Sequence, residues 1–107
     1  MSFVYLLCDS GQENCYKIGM TRGKIEKRIK QLQTGNSEEI TLLKYHETKY
    51  PFFLEKSLHN KFKNKQKNSE WFVLDFDDVQ KFNEHCLKIE EIAESLEDNP
   101  FAKKILK

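Results

Sequence analysis

The sequence predicts a small α+β domain in which three β-strands, two of them a hairpin, are covered by helices. Two observations lead to this prediction. Short runs of β-forming residues, separated by a turn, stand at the start of the chain, and apolar residues recur every three or four positions further along it. The chain has 107 residues, which is enough for one domain and too few for two.

The first two strands form the hairpin. Residues 2–8, SFVYLLC, and residues 15–20, CYKIGM, are rich in β-forming side chains. The segment DSGQEN between them has the composition of a turn. This arrangement places Tyr5 and Tyr16 on neighbouring strands. Gly19, in the second strand, allows the backbone to turn or to approach another group closely.

A helix, a third strand and a second helix follow. The first helix is expected from about Thr21–Gly23 to Thr34, and the glycine and asparagine that come next stop it. Residues 39–47, EITLLKYHE, are the third strand. Pro51 opens the second helix, which runs to about Asn64, because proline favours the first helical turn.

A third helix is expected over residues 79–97. It follows a polar loop, a short extended segment at 71–74 and the acid-rich run 75–78, whose carboxylates suit a helix N-terminus. Its apolar residues are spaced alternately by three and four positions, and they are Val79, Phe82, Cys86, Ile89, Ala93 and Leu96. This seam either packs on the domain's own body or binds a protein partner or a second copy of the chain.

The composition indicates where in the cell the protein is expected and whether its cysteines form disulfides or a metal site. No apolar run approaches the roughly 18 residues of a membrane span, and the N-terminus lacks a basic-then-apolar signal. We therefore expect an intracellular protein, either cytoplasmic or nuclear. Cys8, Cys15 and Cys86 form no C-x-x-C pair, so disulfides and a zinc site are disfavoured and reduced thiols are expected. Cys8 and Cys15 could nevertheless face each other across the hairpin.

Charge is distributed unevenly along the chain. Residues 1–67 contain 13 basic and 7 acidic side chains, whereas residues 68–107 contain 5 and 10. The first part could therefore face a polyanion, and ordinary solvated charge is the alternative.

Arg28 lies at the edge of the apolar stripe of the first helix. Ile25, Ile29 and Leu32 form that stripe, and Arg28 is three, one and four positions from them. A guanidinium at such a position needs partners for its N–H donors, because leaving them unpaired is costly. The partner is either a structural carboxylate or a ligand anion, and the planar fork suits phosphate.

The second helix carries a carboxylate and an imidazole beside its own apolar stripe. Glu55 and His59 are four positions apart and therefore lie one turn apart on the same side of the helix. Glu55 can pair with Arg28, or it can hold a divalent cation through oxygen. A single pair of this kind is a weak metal motif and is usually structural. With Tyr5 and Lys17 of the hairpin, these residues favour a site for phosphate and metal.

In order and spacing, these motifs resemble the GIY-YIG nuclease domain over roughly residues 2–75. The closest resemblance is to a branch in phage, viral and fungal proteins whose second motif reads Tyr-Lys-Ile-Gly. FVYLL matches the first motif, YKIG the second, KRIKQLQTGN the arginine helix and FLEKSLHNKF the glutamate helix. SEWFVL matches a closing segment that contains Glu70, Trp71 and Phe72. Residues 1–75 are thus expected to form the nuclease core, and residues 76–107 a C-terminal helix and tail packed on it within a single domain.

The resemblance implies a small three-stranded antiparallel sheet flanked by helices, and hydrolysis of DNA phosphodiester bonds with one divalent metal, Mg²⁺ or Mn²⁺. By position, Glu55 holds the metal, Arg28 stabilises charge on the scissile phosphate, and Tyr5 deprotonates or positions the attacking water. His59 matches a histidine that the branch favours. Because a free tyrosine is a poor base at neutral pH, Lys17, Arg28 or the metal would have to favour its phenolate form.

Two positions depart from the family pattern. Lys17 stands where the family has a tyrosine, and it could contact phosphate or tune Tyr5. Tyr16 is a further catalytic candidate, but neighbouring strand residues point to opposite faces, so it needs a bulge to take that place. Phe3 replaces a glycine whose role is mainly structural.

Three functions remain open from the sequence. The first is a metal-dependent endonuclease, the second a nucleic-acid-binding or adaptor module without catalysis, and the third an assembly domain that uses the seam of the third helix. The basic residues expected at DNA phosphates are Lys17, Lys24, Lys27, Lys30, Lys61, Lys63, Lys65 and Lys67.

Overall fold

The computed structural model of the chain describes residues 1–106, apart from the side chains of Lys103 and Ile105, and it has an α+β fold. The strands are β1 (Phe3–Asp9), β2 (Cys15–Thr21), β3 (Ile40–Glu47), β4 (Gln66–Asn68) and β5 (Trp71–Val73). They form one antiparallel sheet in the order β3-β1-β2-β5-β4. The predicted α+β class, hairpin and third strand are confirmed.

The prediction of a three-stranded sheet is wrong in the number of strands. The extended segment predicted at 71–74 is β5, which pairs with β2, and β4 lies inside the predicted polar loop. A tight turn joins the two at Ser69, which has a φ of 39° and accepts a hydrogen bond from the Gln66 side chain. All of β4 is polar and exposed, so it shows no alternation that could identify it as a strand.

The helices are α1 (Ile25–Thr34), α2 (Pro51–Lys61), α3 (Phe76–Gln80), α4 (Phe82–Leu96) and α5 (Lys103–Leu106), with a 3₁₀ turn at Lys63–Lys65. The first two confirm predicted helices. The third predicted helix is in fact two, because the backbone at Lys81 (φ −92°, ψ 9°) separates α3 from α4. Asp75 and Asp78 form a reciprocal capping box that starts α3 earlier than predicted.

The sheet separates two hydrophobic cores. Side chains of β1 alternate between its faces, with Val4 and Leu6 on one face and Tyr5 and Leu7 on the other. α1 packs on the face of Tyr5, mainly through Ile25, whereas α2 and α4 pack on the face of Val4. Because α1 and α2 lie on opposite faces, their side chains can meet only around an edge of the sheet.

The apolar seam of the third predicted helix packs on the chain's own body. Phe82 and Cys86 are fully buried in the core beneath α2, and Ala93 packs against Tyr50. This confirms the first of the two interpretations and removes the seam as the surface of a homodimer. The other side of α4 exposes Leu87 and Ile92, so a protein partner on this helix would have to contact that side.

We expect the three free cysteines to differ strongly in reactivity. Cys8 is half-buried and faces Tyr16, not Cys15, across the hairpin, whereas Cys15 and Cys86 are buried. Burial raises the pKa of both buried thiols, that of Cys86 to about 12, so their reactive thiolate forms are scarce at neutral pH.

Mass spectrometry after labelling with an alkylating reagent at pH 7.5 should therefore detect modification of Cys8 first. The unfolded chain, labelled in denaturant, is the control in which all three cysteines react. Fast labelling of Cys86 in the folded protein would contradict the packing of α4.

Candidate functional site

Arg28 and Tyr5 meet beneath α1. Tyr5 is on β1 and is fully buried, and Arg28 is half-buried on α1. The Nε–H of Arg28 donates a hydrogen bond to the Tyr5 hydroxyl oxygen, with the two atoms 3.3 Å apart. Among the residues that the structure describes, the partner of the guanidinium is thus a hydroxyl, and not a structural carboxylate. The remaining N–H groups of the fork are available to an anion.

Gly19 makes room for the Tyr5 ring. The two residues are directly opposite in the β1–β2 register. A Cβ atom on residue 19 would lie 2.5 Å from the Tyr5 hydroxyl oxygen and 2.7 Å from Cζ of the same ring. The sequence analysis left two roles open for Gly19, and the structure shows the second, the close approach of another group.

Gly19→Ala should therefore destabilise the fold by about 1–3 kcal/mol, because the Tyr5 ring is fully buried and has no free space to move into. Gly23→Ala is the matched control, since a Cβ at that position has nothing within 4 Å. Urea denaturation of both variants provides the measurement. Equal stability of the two variants would show that the ring of Tyr5 does not lie across Gly19.

Side chains from α2 reach the open edge of β2. β5 pairs with β2 only from Cys15 to Lys17, so the Ile18 carbonyl and the Met20 N–H beyond it can bond to α2. Nε2 of His59 lies 2.8 Å from the Ile18 carbonyl oxygen. A carbonyl only accepts, so Nε2 carries a proton, and the neutral imidazole then has its lone pair on Nδ1. The next N–H along this edge, that of Met20, donates to Glu55.

Glu70 completes a cluster with these two residues. Glu55, His59 and Glu70 each offer one ligand atom, and these atoms all lie within 4.8 Å of one another. Glu70 stands just before β5, and its backbone carbonyl accepts a hydrogen bond from the Ile18 N–H. The sequence analysis assigns Glu70 no role, since only the pairing of β5 with β2 brings it beside α2.

Lys17 lies next to this cluster and Tyr16 does not. The Lys17 ammonium is 3.5 Å from a carboxylate oxygen of Glu70 and 5.8 Å from the centre of the Trp71 ring. Tyr16 is opposite Phe72 in the β2–β5 register. It packs in the core of Val4 and Leu6, on the face of the sheet that Tyr5 does not occupy. No bulge is present between β1 and β2, so the structure places Tyr16 apart from Tyr5.

Residues 2–88 match the T5orf172 domain. The chain belongs to the T5orf172 domain family. The match runs past residue 75, through α3 and into α4, further than the resemblance in the sequence analysis. No curated protein sequence and no solved structure matches the chain.

The charges in the site of this T5orf172 domain influence one another. Burial raises the pKa of Glu55, the neighbouring Glu70 raises it further, and His59, Lys17 and the Met20 N–H act in the opposite direction. Two carboxylates held this close repel each other, so a cation between them is favourable.

Burial also raises the pKa of Tyr5. The hydrogen bond and charge of Arg28 act against this effect without overcoming it, and the charges of Glu70 and Glu55 add to it. Tyr5 is therefore a neutral hydroxyl at neutral pH.

The donor atoms of the T5orf172 site fit a divalent metal. Glu55 and Glu70 supply carboxylate oxygens, which Mg²⁺ and Mn²⁺ both accept. Nδ1 of His59 adds a nitrogen donor, which suits Mn²⁺ better than Mg²⁺. Glu55, at which the sequence analysis predicts a metal, thus lies beside two further side chains that can donate to a divalent cation.

A groove with a volume of 310 Å³ opens between α1 and the β2–β5 edge. Lys17, Gln31 and Trp71 are among its lining residues. A cation and an aromatic ring thus lie together on the wall of this groove.

The predicted DNA-contacting lysines of the T5orf172 domain form two groups. All except the half-buried Lys17 are exposed. Those at the start of α1 and within it lie on one side of the sheet, and those after residue 60 belong to the end of α2, the 3₁₀ turn and β4. The ammonium of Lys65 is held by Asp75 and Asp78 at the start of α3, and that of Lys67 by Gln12.

Among residues 1–106, no helix is long and apolar enough to cross a membrane.

Proposed function

We propose that this T5orf172 domain is a metal-dependent endonuclease of the GIY-YIG type that hydrolyses phosphodiester bonds in DNA. T5orf172 domains are associated with nuclease-like folds and with DNA. The observation that carries the proposal is the convergence of Tyr5, Arg28 and Glu55. They come from β1, α1 and α2, on opposite faces of the sheet, yet Arg28 donates a hydrogen bond to Tyr5 and the charge of Glu55 raises the pKa of both.

In this proposal Arg28 binds the scissile phosphate. Its guanidinium is held at Nε by Tyr5, and the free part of the fork can make two parallel hydrogen bonds to phosphate oxygens. These bonds strengthen as charge develops on the phosphate, which lowers the barrier to hydrolysis. Lys17, beside the groove, adds a second positive charge near the same group.

Glu55 is the principal metal ligand in this proposal. A bound divalent cation would neutralise the phosphate, stabilise the leaving oxygen and lower the pKa of a bound water. Tyr5 then acts by positioning Arg28 and the attacking water, since its raised pKa keeps the hydroxyl protonated. Base catalysis by Tyr5 is the less favoured role in this structure.

The test is cleavage of end-labelled DNA by the whole chain. Duplex, single strand, flap, fork and junction substrates are incubated with Mg²⁺ or Mn²⁺, with and without EDTA. Tyr5→Phe keeps the ring over Gly19 and loses the hydroxyl, so we expect a rate at least about tenfold lower. Cleavage that needs the cation and falls in this variant would support the endonuclease.

Two results would count against it. Equal cleavage by wild type and Tyr5→Phe would show that the Tyr5 hydroxyl has no part in cleavage, and equal cleavage by Arg28→Gln as well would identify a contaminating nuclease. Binding of DNA that falls with salt and survives EDTA, without cleavage of any substrate, would support the alternative, a nucleic-acid-binding module without catalysis.

A further inference from the structure

The cluster at the open edge of β2 contains more donor atoms than the proposed reaction uses. Glu55 alone carries the metal in the function proposed above. His59 and Glu70 lie beside it, on different elements, with their ligand atoms within 4.8 Å of one another and of Glu55. Glu55 and Glu70 repel each other in the structure as it stands, and a cation bound between them would remove this repulsion.

We propose that Glu55, Glu70 and Nδ1 of His59 form one three-ligand site for a divalent transition-metal ion, with Mn²⁺ preferred to Mg²⁺. This inference rests on the proposed function for its location, and it adds two ligands and a metal preference.

The orientation of His59 supports this assignment. Its Nε2–H donates to the Ile18 carbonyl, and its ring packs on Phe72 with the ring centroids 4.9 Å apart. Histidines that bind metals are typically oriented in this way, because a hydrogen bond from one ring nitrogen fixes the tautomer and presents the lone pair of the other. Because Nε2 is occupied by the β2 backbone, Nδ1 is the nitrogen of His59 that can bind a cation.

When no cation is bound, the Lys17 ammonium compensates the negative charge of Glu70. Its ammonium lies 3.5 Å from the Glu70 carboxylate, and both side chains are mostly buried. A metal ion that binds Glu70 competes with this ion pair, so metal binding releases Lys17 toward the neighbouring groove. The lysine that replaces the expected tyrosine is thereby coupled to the metal site.

Metal binding without DNA provides the test. Isothermal titration of the wild type with Mn²⁺ and with Mg²⁺ gives both affinities. Glu70→Gln should weaken both at least about tenfold, and His59→Ala should weaken Mn²⁺ more than Mg²⁺. Lys17→Met, which removes the competing ammonium, should bind Mn²⁺ more tightly. Glu91→Gln, an exposed position on α4, is the control and should change neither affinity.

A spectroscopic measurement on the unmodified protein keeps the test decisive if a variant fails to fold. Pulsed electron paramagnetic resonance of the Mn²⁺ complex should detect a directly bound ¹⁴N nucleus. Absence of this coupling, or unchanged affinity in folded Glu70→Gln, would overturn the three-ligand site. Neither measurement depends on cleavage. Metal binding without cleavage would refute only the proposed nuclease, and cleavage with a nitrogen-free Mn²⁺ centre would refute only this inference.

Discussion

Glu55→Gln should abolish DNA cleavage without loss of stability. The glutamine has nearly the same volume, and its amide oxygen can still accept the hydrogen bond from the Met20 N–H. It lacks the negative charge that holds the cation, so we expect the cleavage rate to fall at least about 1,000-fold.

The same substitution should leave the metal-free protein as stable as the wild type, or slightly more stable. The fold raises the pKa of Glu55, which means that it disfavours the charged form, and glutamine removes both the cost of burying that charge and the repulsion from Glu70. Thermal denaturation without metal measures this effect, with Glu91→Gln as the control. Retained cleavage, or marked destabilisation, would show that Glu55 is a structural residue.

The sequence could identify Arg28 and Glu55 because each is a polar residue beside the apolar stripe of a helix. When the helix packs, a charged side chain at that position is partly buried and needs an oppositely charged group, a hydrogen-bond partner or a ligand. Its place in the sequence therefore indicates a candidate binding site before the fold is known. The hairpin was likewise predictable, since its strands and turn are contiguous and their residue types are distinct.

The parts that the sequence could not reveal depend on contacts between distant segments. Glu70 joins Glu55 only because β5 pairs with β2, some 55 residues earlier in the chain, and a three-residue strand has almost no periodicity. The break at Lys81 could not be predicted for a different reason. The apolar spacing continues from Val79 to Phe82 as in one helix, whereas the helical backbone is interrupted at Lys81.

Arg28→Gln should lower the rate of cleavage by about 100- to 1,000-fold, the effect of removing a donor from developing negative charge. Lys27→Gln is the matched control, because it removes the same charge from the next position on α1, where the side chain is exposed. It should weaken DNA binding slightly and reduce its salt dependence, with little change in the rate at saturating DNA.

Arg28→Lys separates charge from geometry. The lysine retains the positive charge, but it cannot donate to Tyr5 from a position equivalent to Nε while also presenting a fork to phosphate. We therefore expect Arg28→Lys to bind DNA more tightly than Arg28→Gln does, nearly as tightly as the wild type. Its single-turnover rate at saturating DNA should remain as low as that of Arg28→Gln. Recovery of the full rate would mean that positive charge alone suffices. In that case the hydrogen bond between Arg28 and Tyr5 would have no part in catalysis, and Tyr5→Phe should leave the rate unchanged.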